Sequence, residues 1–306
     1  MDITTVIVNW NTRDLLRDCL ESVYKTVRGM TVEVIVVDNA SQDGSVAMVR
    51  EAFPGVDIIE NSENRGFSAA NNQALRVMRG RYALLLNTDA VLTEGAVHEL
   101  FAFMEDHDEA AMAGGQLLNQ DGSRQNSIAN FPTLFSLLMN APLLESLFPG
   151  RYPSKRYEHK GPLAVESVIG ACMLVRKGSM NEVGLLDEGY FFFFEETDWA
   201  FRMNEAGWKI YHVPSARIYH LQGRSIGRAA RSRIEFYRSR YRFFGKWKGH
   251  SYKRAVFMII FARLIANWLL TSAGTVLTAG ISRGLRDKWV VYSRLVMWHL
   301  KGRPSA

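Results

Sequence analysis

An unbroken aromatic run, Tyr190 to Phe194, leads directly into three carboxylates, Glu195, Glu196 and Asp198. A carboxyl group desolvated by such neighbours is pushed toward a pKa at which it can take a proton from a hydroxyl group. An acidic first helical turn that complements the macrodipole is the competing reading, and it fits Asp198 best. Arg202 stands one turn further on, placed to pair with Asp198. A second set of candidates follows short apolar runs: Asn9 after Thr4–Val8, Asp38 after Val32–Val37, and Asn87-Thr88-Asp89 after Tyr82–Leu86. In a parallel sheet the carboxyl ends of the strands are where ligands bind.

The elements that must position these residues alternate. After the first β-branched run, Leu15, Leu16, Leu20 and Val23 fall on one helical face. The second run is short enough for a buried parallel strand and ends in the turn-forming cluster DNASQDG at 38–44. Residues 45–53 read as a helix and 56–60 as a third strand. Ser68 is placed to cap a helix reaching Arg79, and 82–86 reads as a fourth strand. Further on, Trp199, Met203 and Ala206 share a helical face that Gly207 ends, and 210–213 and 216–219 read as closing strands before His220. This alternation predicts a mostly parallel, doubly wound α/β sheet. Residues 116–165 hold five of the eight prolines and read as a loop-rich segment, either a mobile lid or acceptor-contacting insertion or a plain surface excursion. No GxGxxG follows the first strand and no GxxxxGK[ST] occurs, so any nucleotide is held without a glycine cradle. Carboxylates beside a diphosphate then require a cation between them.

Composition narrows the class. At 306 residues, 47% hydrophobic and 22% charged, the chain has globular usage and length for about two domains. Its two cysteines, Cys19 and Cys172, make no CxxC pair and fit a reducing compartment. The N-terminal segment MDITTVIVNW has no basic flank and too short an apolar run for a signal peptide, so the catalytic part is expected to face the cytoplasm. The net charge of +6 conceals a division: residues 1–223 carry 19 Lys and Arg against 29 Asp and Glu, and residues 224–306 carry 18 against 2. Such a basic tail calls for a polyanionic partner, nucleic acid or an anionic membrane surface. Residues 255–281 decide between them, because they form an apolar stretch with one charge, Arg263, which a nucleic-acid tail does not need. Arg263 and Asn267 make a simple span costly, so an interfacial helix pair is expected, with Trp268, Trp289, Tyr292 and Trp298 at the interface. A helical hairpin covering the body or a partner subunit is the competing reading.

The pieces VIVNWN (6–11), VEVIVVDNASQDGS (32–45), ENRGFSAANNQAL (63–75), YALLLNTDA (82–90), GLLDEGYFFFFEETDWAFRMNEAGWKIY (184–211) and RSRYRFF (238–244) occur in an order that resembles the family 2 inverting glycosyltransferases of GT-A fold, in particular a rhamnosyltransferase-like branch of bacterial polysaccharide assembly. The resemblance implies that Asp38, with Asn9 beside it, accepts the base N–H of a pyrimidine nucleotide. It places Arg65 and Gly66 at the diphosphate, where a solvated loop arginine is the equal alternative. Asn87-Thr88-Asp89 takes the place of the family's DxD motif with Asn for the first Asp, so Asp89, together with His220, is the implied ligand of Mg²⁺ or Mn²⁺. Where the family reads Glu-Asp-x-Asp, this chain has Glu195-Glu196-Thr197-Asp198. By position Glu196 is the base, with Glu195 and Asp198 as substitutes. The processive Gln-x-x-Arg-Trp signature is absent.

These readings combine into an expected enzyme of three parts: 1–115 for the nucleotide-sugar, 116–223 for acceptor and catalysis, and 224–306 as the basic, apolar, membrane-docking helical tail. It would transfer one sugar (rhamnose from dTDP-rhamnose, by the branch resemblance) to a lipid-linked or growing glycan at the cytoplasmic face of the inner membrane, with no nucleic-acid partner. The alternative is a non-catalytic membrane scaffold with a degenerate GT-A body.

Overall fold

A computed structural model describes residues 1–139, 141–153, 159–221, 229–279 and 281–301. Residues 224–228 of the basic tail lie outside them. The chain forms two compact units. The first comprises 1–131, 145–191 and 195–225, and the second 132–144, 192–194 and 226–306.

The first unit is built on a mixed sheet. Its N-terminal half contains β1 (Ile3–Asn9), α1 (Arg13–Thr26), β2 (Val32–Asp38), α2 (Ser45–Ala52), β3 (Asp57–Glu60), α3 (Phe67–Val77), β4 (Tyr82–Leu86), β5 (Ala90–Leu92), α4 (Ala96–Asp106) and β6 (Ala110–Leu118). Along the chain then follow β7 (Ile128–Ala129), α5 (Leu134–Leu138), which belongs to the second unit, α6 (Ala141–Leu147), whose first four residues do too, β8 (Leu163–Val165), β9 (Ser167–Val168), β10 (Cys172–Arg176), α7 (Lys177–Val183), α8 (Glu195–Glu205) and β11 (Lys209–His220). Strand order is β3-β2-β1-β4-β10-β6-β11-β5, with β8 also on β11 and a separate β7–β9 pair.

From β3 to β4 every pairing is parallel. Beyond β4 the sheet turns mixed. β10 enters antiparallel between β4 and β6, β11 runs parallel to β6, and β5 and β8 are antiparallel to β11. All five residues of β4 are buried because helices cover both faces, which is why YALLL is a continuous apolar run rather than an alternating one. One core packs Leu16, Leu20 and Val23 of α1 with Met48, Val49 and Leu100; the other packs Ala70, Ala74 and Leu75 of α3 with Trp199 and Met203 of α8.

The structure departs from the sequence-based expectation in three places. Ser68 does not cap α3: the helix begins at Phe67 behind Gly66, and the Ser68 hydroxyl is buried without a hydrogen-bond partner. The two closing strands are one, β11, with a register shift between Val213 and Arg217. Pro214 lies in that shift, where it removes no ladder donor. The central strand β6, AAMAGGQLL, has weak β-propensity and gave no strand signal. Its glycines answer to packing instead, since a Cβ on Gly114 would lie 2.8 Å from Val168 Cβ.

The second unit is helical: α9 (Ala229–Trp247), α10 (Gly249–Leu277) and α11 (Arg283–Leu300), with α5 packed on α10. Tyr241, Phe244, Val256, Ile260, Leu264 and Leu295 form its core. Trp268 and Trp298 pack against that core, and the Trp268 indole donates to Ser293 Oγ at 2.9 Å, so of the expected belt residues Trp289 is the exposed one. Arg263 donates to the Leu137 carbonyl.

Candidate active site

Parallel pairing of β1 with β2 places Asn9 opposite Asp38, at the carboxyl ends of both strands. Asn9 Nδ2 donates to Asp38 Oδ1 at 2.8 Å, and the Ser41 backbone N–H donates to Oδ2 at 2.8 Å. The second bond, from three residues on, holds the loop in the manner of a helix cap. It leaves carboxylate lone pairs for a further donor, so the turn and ligand readings of Asp38 are compatible. Thr12, which sequence reasoning passed over, ties Asn9 to the next loop: its hydroxyl donates to Asn9 Oδ1 at 2.7 Å and accepts from the Thr88 hydroxyl at 3.0 Å. Asn39 is likewise buried, bridging the Gly66 carbonyl and Asn61.

Arg65 is exposed, with no bond to another site residue among those described. The Gly66 N–H is taken by Asn64 Oδ1, and the Phe67 N–H by the Phe191 carbonyl at 2.8 Å. Gly66 therefore offers no free backbone donor to a diphosphate. Its role is steric: with φ +82° it turns the chain so tightly that a Cβ would sit 2.7 Å from the Phe191 carbonyl oxygen.

Asn87 and Asp89 lie in the turn between β4 and β5. Asn87 Oδ1 is buried without a hydrogen-bond partner. Asp89 is 1% exposed, and its Oδ1 stands 3.5 Å from His220 Nε2, because the β5–β11 pairing sets His220 opposite Ala90. His220 Nδ1 faces Gln125 Oε1 at 2.9 Å. A carboxylate, an imidazole nitrogen and an unsatisfied amide oxygen are a donor set for a hard divalent cation. Among the described residues no group of three or more His, Cys, Asp or Glu gathers around one point, so diphosphate oxygens and water would complete the coordination of such a cation.

The three carboxylates differ sharply. Asp198 is fully buried, accepts from Arg202 Nε at 3.1 Å and from the Tyr190 hydroxyl at 3.3 Å, and is thereby fixed in place. Arg202 is fixed in turn by the Val183 and Leu185 carbonyls. Glu195 is 4% exposed, with Oε2 unpartnered; burial and the neighbouring Glu196 charge raise its pKa well above the ordinary carboxylate value. Glu196 is part-buried, its pKa raised by desolvation, and Gly170 faces its Cγ with no side chain of its own. Of the aromatic run, Tyr190 touches the trio, while Phe193 and Phe194 pack against Phe236 in the second unit.

The sheet thus carries acidic and amide side chains at its carboxyl edge, with a helix of carboxylates beside them. The mannosyltransferase PcManGT from Pyrobaculum calidifontis, solved with GDP-Man and Mn²⁺, superposes with a TM-score of 0.60 at 16% identity over 98% of this chain and 86% of its own. GalNAc-T7 with UDP, GalNAc and Mn²⁺ gives the same TM-score and identity, over 81% of this chain and 48% of its own. The sequence matches glycosyl transferase family 2 across residues 4–184, and the chain belongs to that family. It is 28% identical over 219 residues (66% of this chain, 71% of the relative) to the N-acetylglucosaminyl-diphospho-decaprenol L-rhamnosyltransferase of Mycobacterium tuberculosis. It is 25% identical over 208 residues (66% and 61%) to the low-salt glycan biosynthesis hexosyltransferase Agl10 of Haloferax volcanii.

Proposed function

We propose that this glycosyltransferase moves a single sugar, with inversion, from a pyrimidine nucleoside diphosphate donor to a lipid-linked glycan acceptor. The relative from M. tuberculosis supports rhamnose as the sugar and a polyprenyl diphosphate-linked acceptor. Asp38, oriented by Asn9, accepts the base N–H, and Arg65 pairs with the diphosphate. Asp89 and His220 would hold Mg²⁺ or Mn²⁺, with Asn87 as a neutral oxygen ligand, and the cation would neutralise charge on the departing diphosphate.

The observation that carries the catalytic assignment is the contrast among the three carboxylates. Glu196 combines partial exposure with a pKa raised by desolvation, and it is neither tied to an arginine like Asp198 nor as deeply buried as Glu195. It takes the proton of the acceptor hydroxyl as that oxygen bonds to the anomeric carbon. The bond from the anomeric carbon to the diphosphate oxygen breaks, and the nucleoside diphosphate leaves with the electron pair. Asp198, neutralised by Arg202, and Tyr190 fix the helix that presents Glu196.

The second unit supports docking on an anionic membrane, at its cytoplasmic face. One window of α10 reaches a mean hydropathy of 1.8 with 22% of its residues buried. Leu270, Val276, Leu277 and Ile281 are 71–86% exposed around the α10–α11 turn, and exposed Arg283, Arg286 and Lys288 follow at once. This pattern suits insertion at the headgroup boundary, with cations on lipid phosphates. Sugar transfer to a polyprenyl diphosphate acceptor tests the catalytic assignment. Glu196→Gln is expected to lower turnover about 10²–10⁴-fold with donor affinity unchanged, and wild-type turnover in that variant would refute it.

A further inference from the structure

Gln125 lies in the proline-rich segment that follows β6 and was not itself singled out in the sequence. Its side chain is 9% exposed and every polar atom of it is committed. Nε2 donates to the His220 carbonyl oxygen at 2.6 Å and to Asn119 Oδ1 at 2.8 Å, and Oε1 faces His220 Nδ1 at 2.9 Å. The backbone carbonyl of His220 can only accept, so the amide end nearest to it is the NH₂ group. The Asn119 amide is oriented the same way, because its Nδ2 donates to Ser123 Oγ at 2.8 Å. The opposite end of Gln125 is then a carbonyl oxygen, and the atom facing it, Nδ1, must carry the hydrogen. In the neutral ring this leaves Nε2 as a bare lone pair, 3.5 Å from a carboxylate oxygen of buried Asp89. A ring nitrogen lone pair and a carboxylate oxygen side by side are a donor pair that a hard divalent cation can take.

We propose that Gln125 is a positioning residue that fixes the tautomer and rotation of His220, so that Nε2 and Asp89 together present paired acceptors to a divalent cation. Gln125 is itself held: its N–H donates to the Leu117 carbonyl at 2.8 Å, its carbonyl accepts from Gln116 Nε2 at 2.9 Å, and both partners belong to the central strand β6. Register in the sheet thus sets the ring's protonation pattern. The proposal rests on the reading of Asp89 and His220 as cation ligands.

Two measurements on the full chain keep the inference and that reading separable. The first is a long-range ¹H–¹⁵N correlation of the seven histidines in the metal-free protein at about pH 8, where an unperturbed ring is neutral, with His220 assigned by loss of its signals in His220→Asn. His220 is expected protonated at Nδ1 and bare at Nε2, and Gln125→Met is expected to abolish that preference. The second is titration with Mn²⁺ in the presence of saturating dTDP. Gln125→Met is expected to weaken Mn²⁺ binding about 10–100-fold, as loss of an outer partner of a ligating histidine does. Gln125→Glu, which keeps an acceptor opposite Nδ1, should recover the tautomer and most of the affinity. Protonation of His220 at Nε2 in the wild type, or an unchanged tautomer and affinity in Gln125→Met, would overturn the proposal. A wild-type protein that binds no Mn²⁺ would instead overturn the cation reading, and the tautomer would still decide the role of Gln125.

Discussion

Gly66→Ala tests the reasoning that ties the Arg65 loop to the segment leading into the catalytic helix. At φ +82° and ψ 176° the backbone occupies a region nearly reserved for glycine, and forcing alanine into it costs on the order of 1–3 kcal/mol. The new Cβ would also lie 2.7 Å from Phe191 Cδ2 and 2.7 Å from the Phe191 carbonyl oxygen. The ring is 40% exposed and can swing away, but the carbonyl is backbone and already accepts the Phe67 N–H. Relieving that overlap adds about 1–3 kcal/mol of overpacking, for a total of about 2–6 kcal/mol. Gly122→Ala is the internal control, with the same φ of +82° and no atom within 4 Å of its Cβ, so only the left-handed penalty of about 1–2 kcal/mol applies. Urea denaturation of both variants isolates the overlap, and Gly66→Ala should also bind dTDP more weakly because Arg65 is displaced. Equal destabilisation of the two variants, within about 0.5 kcal/mol, would refute the argument.

Two further outcomes follow from burial. The folded-state pKa of Glu195 is raised above its ordinary 4.5, so the stability contributed by its protonated form is complete below that value and is lost as pH rises from there through the raised folded value. Glu195→Gln removes this loss; its unfolding midpoint should exceed that of the wild type at neutral pH and converge toward it in acid, and parallel profiles would contradict the assignment. In the second unit, Leu270→Lys, Leu277→Lys and Ile281→Lys combined should weaken binding to phosphatidylglycerol vesicles by about 10²-fold or more, since each buried leucine or isoleucine contributes roughly 1.5–3 kcal/mol. Unchanged sedimentation with vesicles would rule out the α10–α11 turn as the inserting element.

Much of the candidate site was legible in the sequence because its side chains sit at the ends of strands. Asn9 and Asp38 directly follow apolar runs, Asp89 follows one by three residues, and one short i, i+4 spacing announced the Asp198–Arg202 pair. What escaped depended on partners remote along the chain. Gln125 meets His220 across 95 positions and Phe191 meets Gly66 across more than a hundred, and neither contact leaves a periodic trace. Strand β6 escaped for a different reason. Its alanines and glycines are chosen for close approach to Val168 and Ala216, so the packing that makes it central also erases its β-signal. The carboxylates were left equivalent by the motif and their surroundings differ only in three dimensions, where Arg202 pairs with Asp198, Glu195 is buried, and Glu196 stays partly exposed.

The most direct test of the account is calorimetric titration of the full chain with dTDP, UDP and GDP, with and without Mn²⁺, in the wild type and in Asp89→Ala. The account predicts binding of a pyrimidine nucleoside diphosphate that Mn²⁺ strengthens, with the Mn²⁺ enhancement lost in Asp89→Ala. Binding of none of the three, or Mn²⁺ enhancement that survives Asp89→Ala, would contradict it.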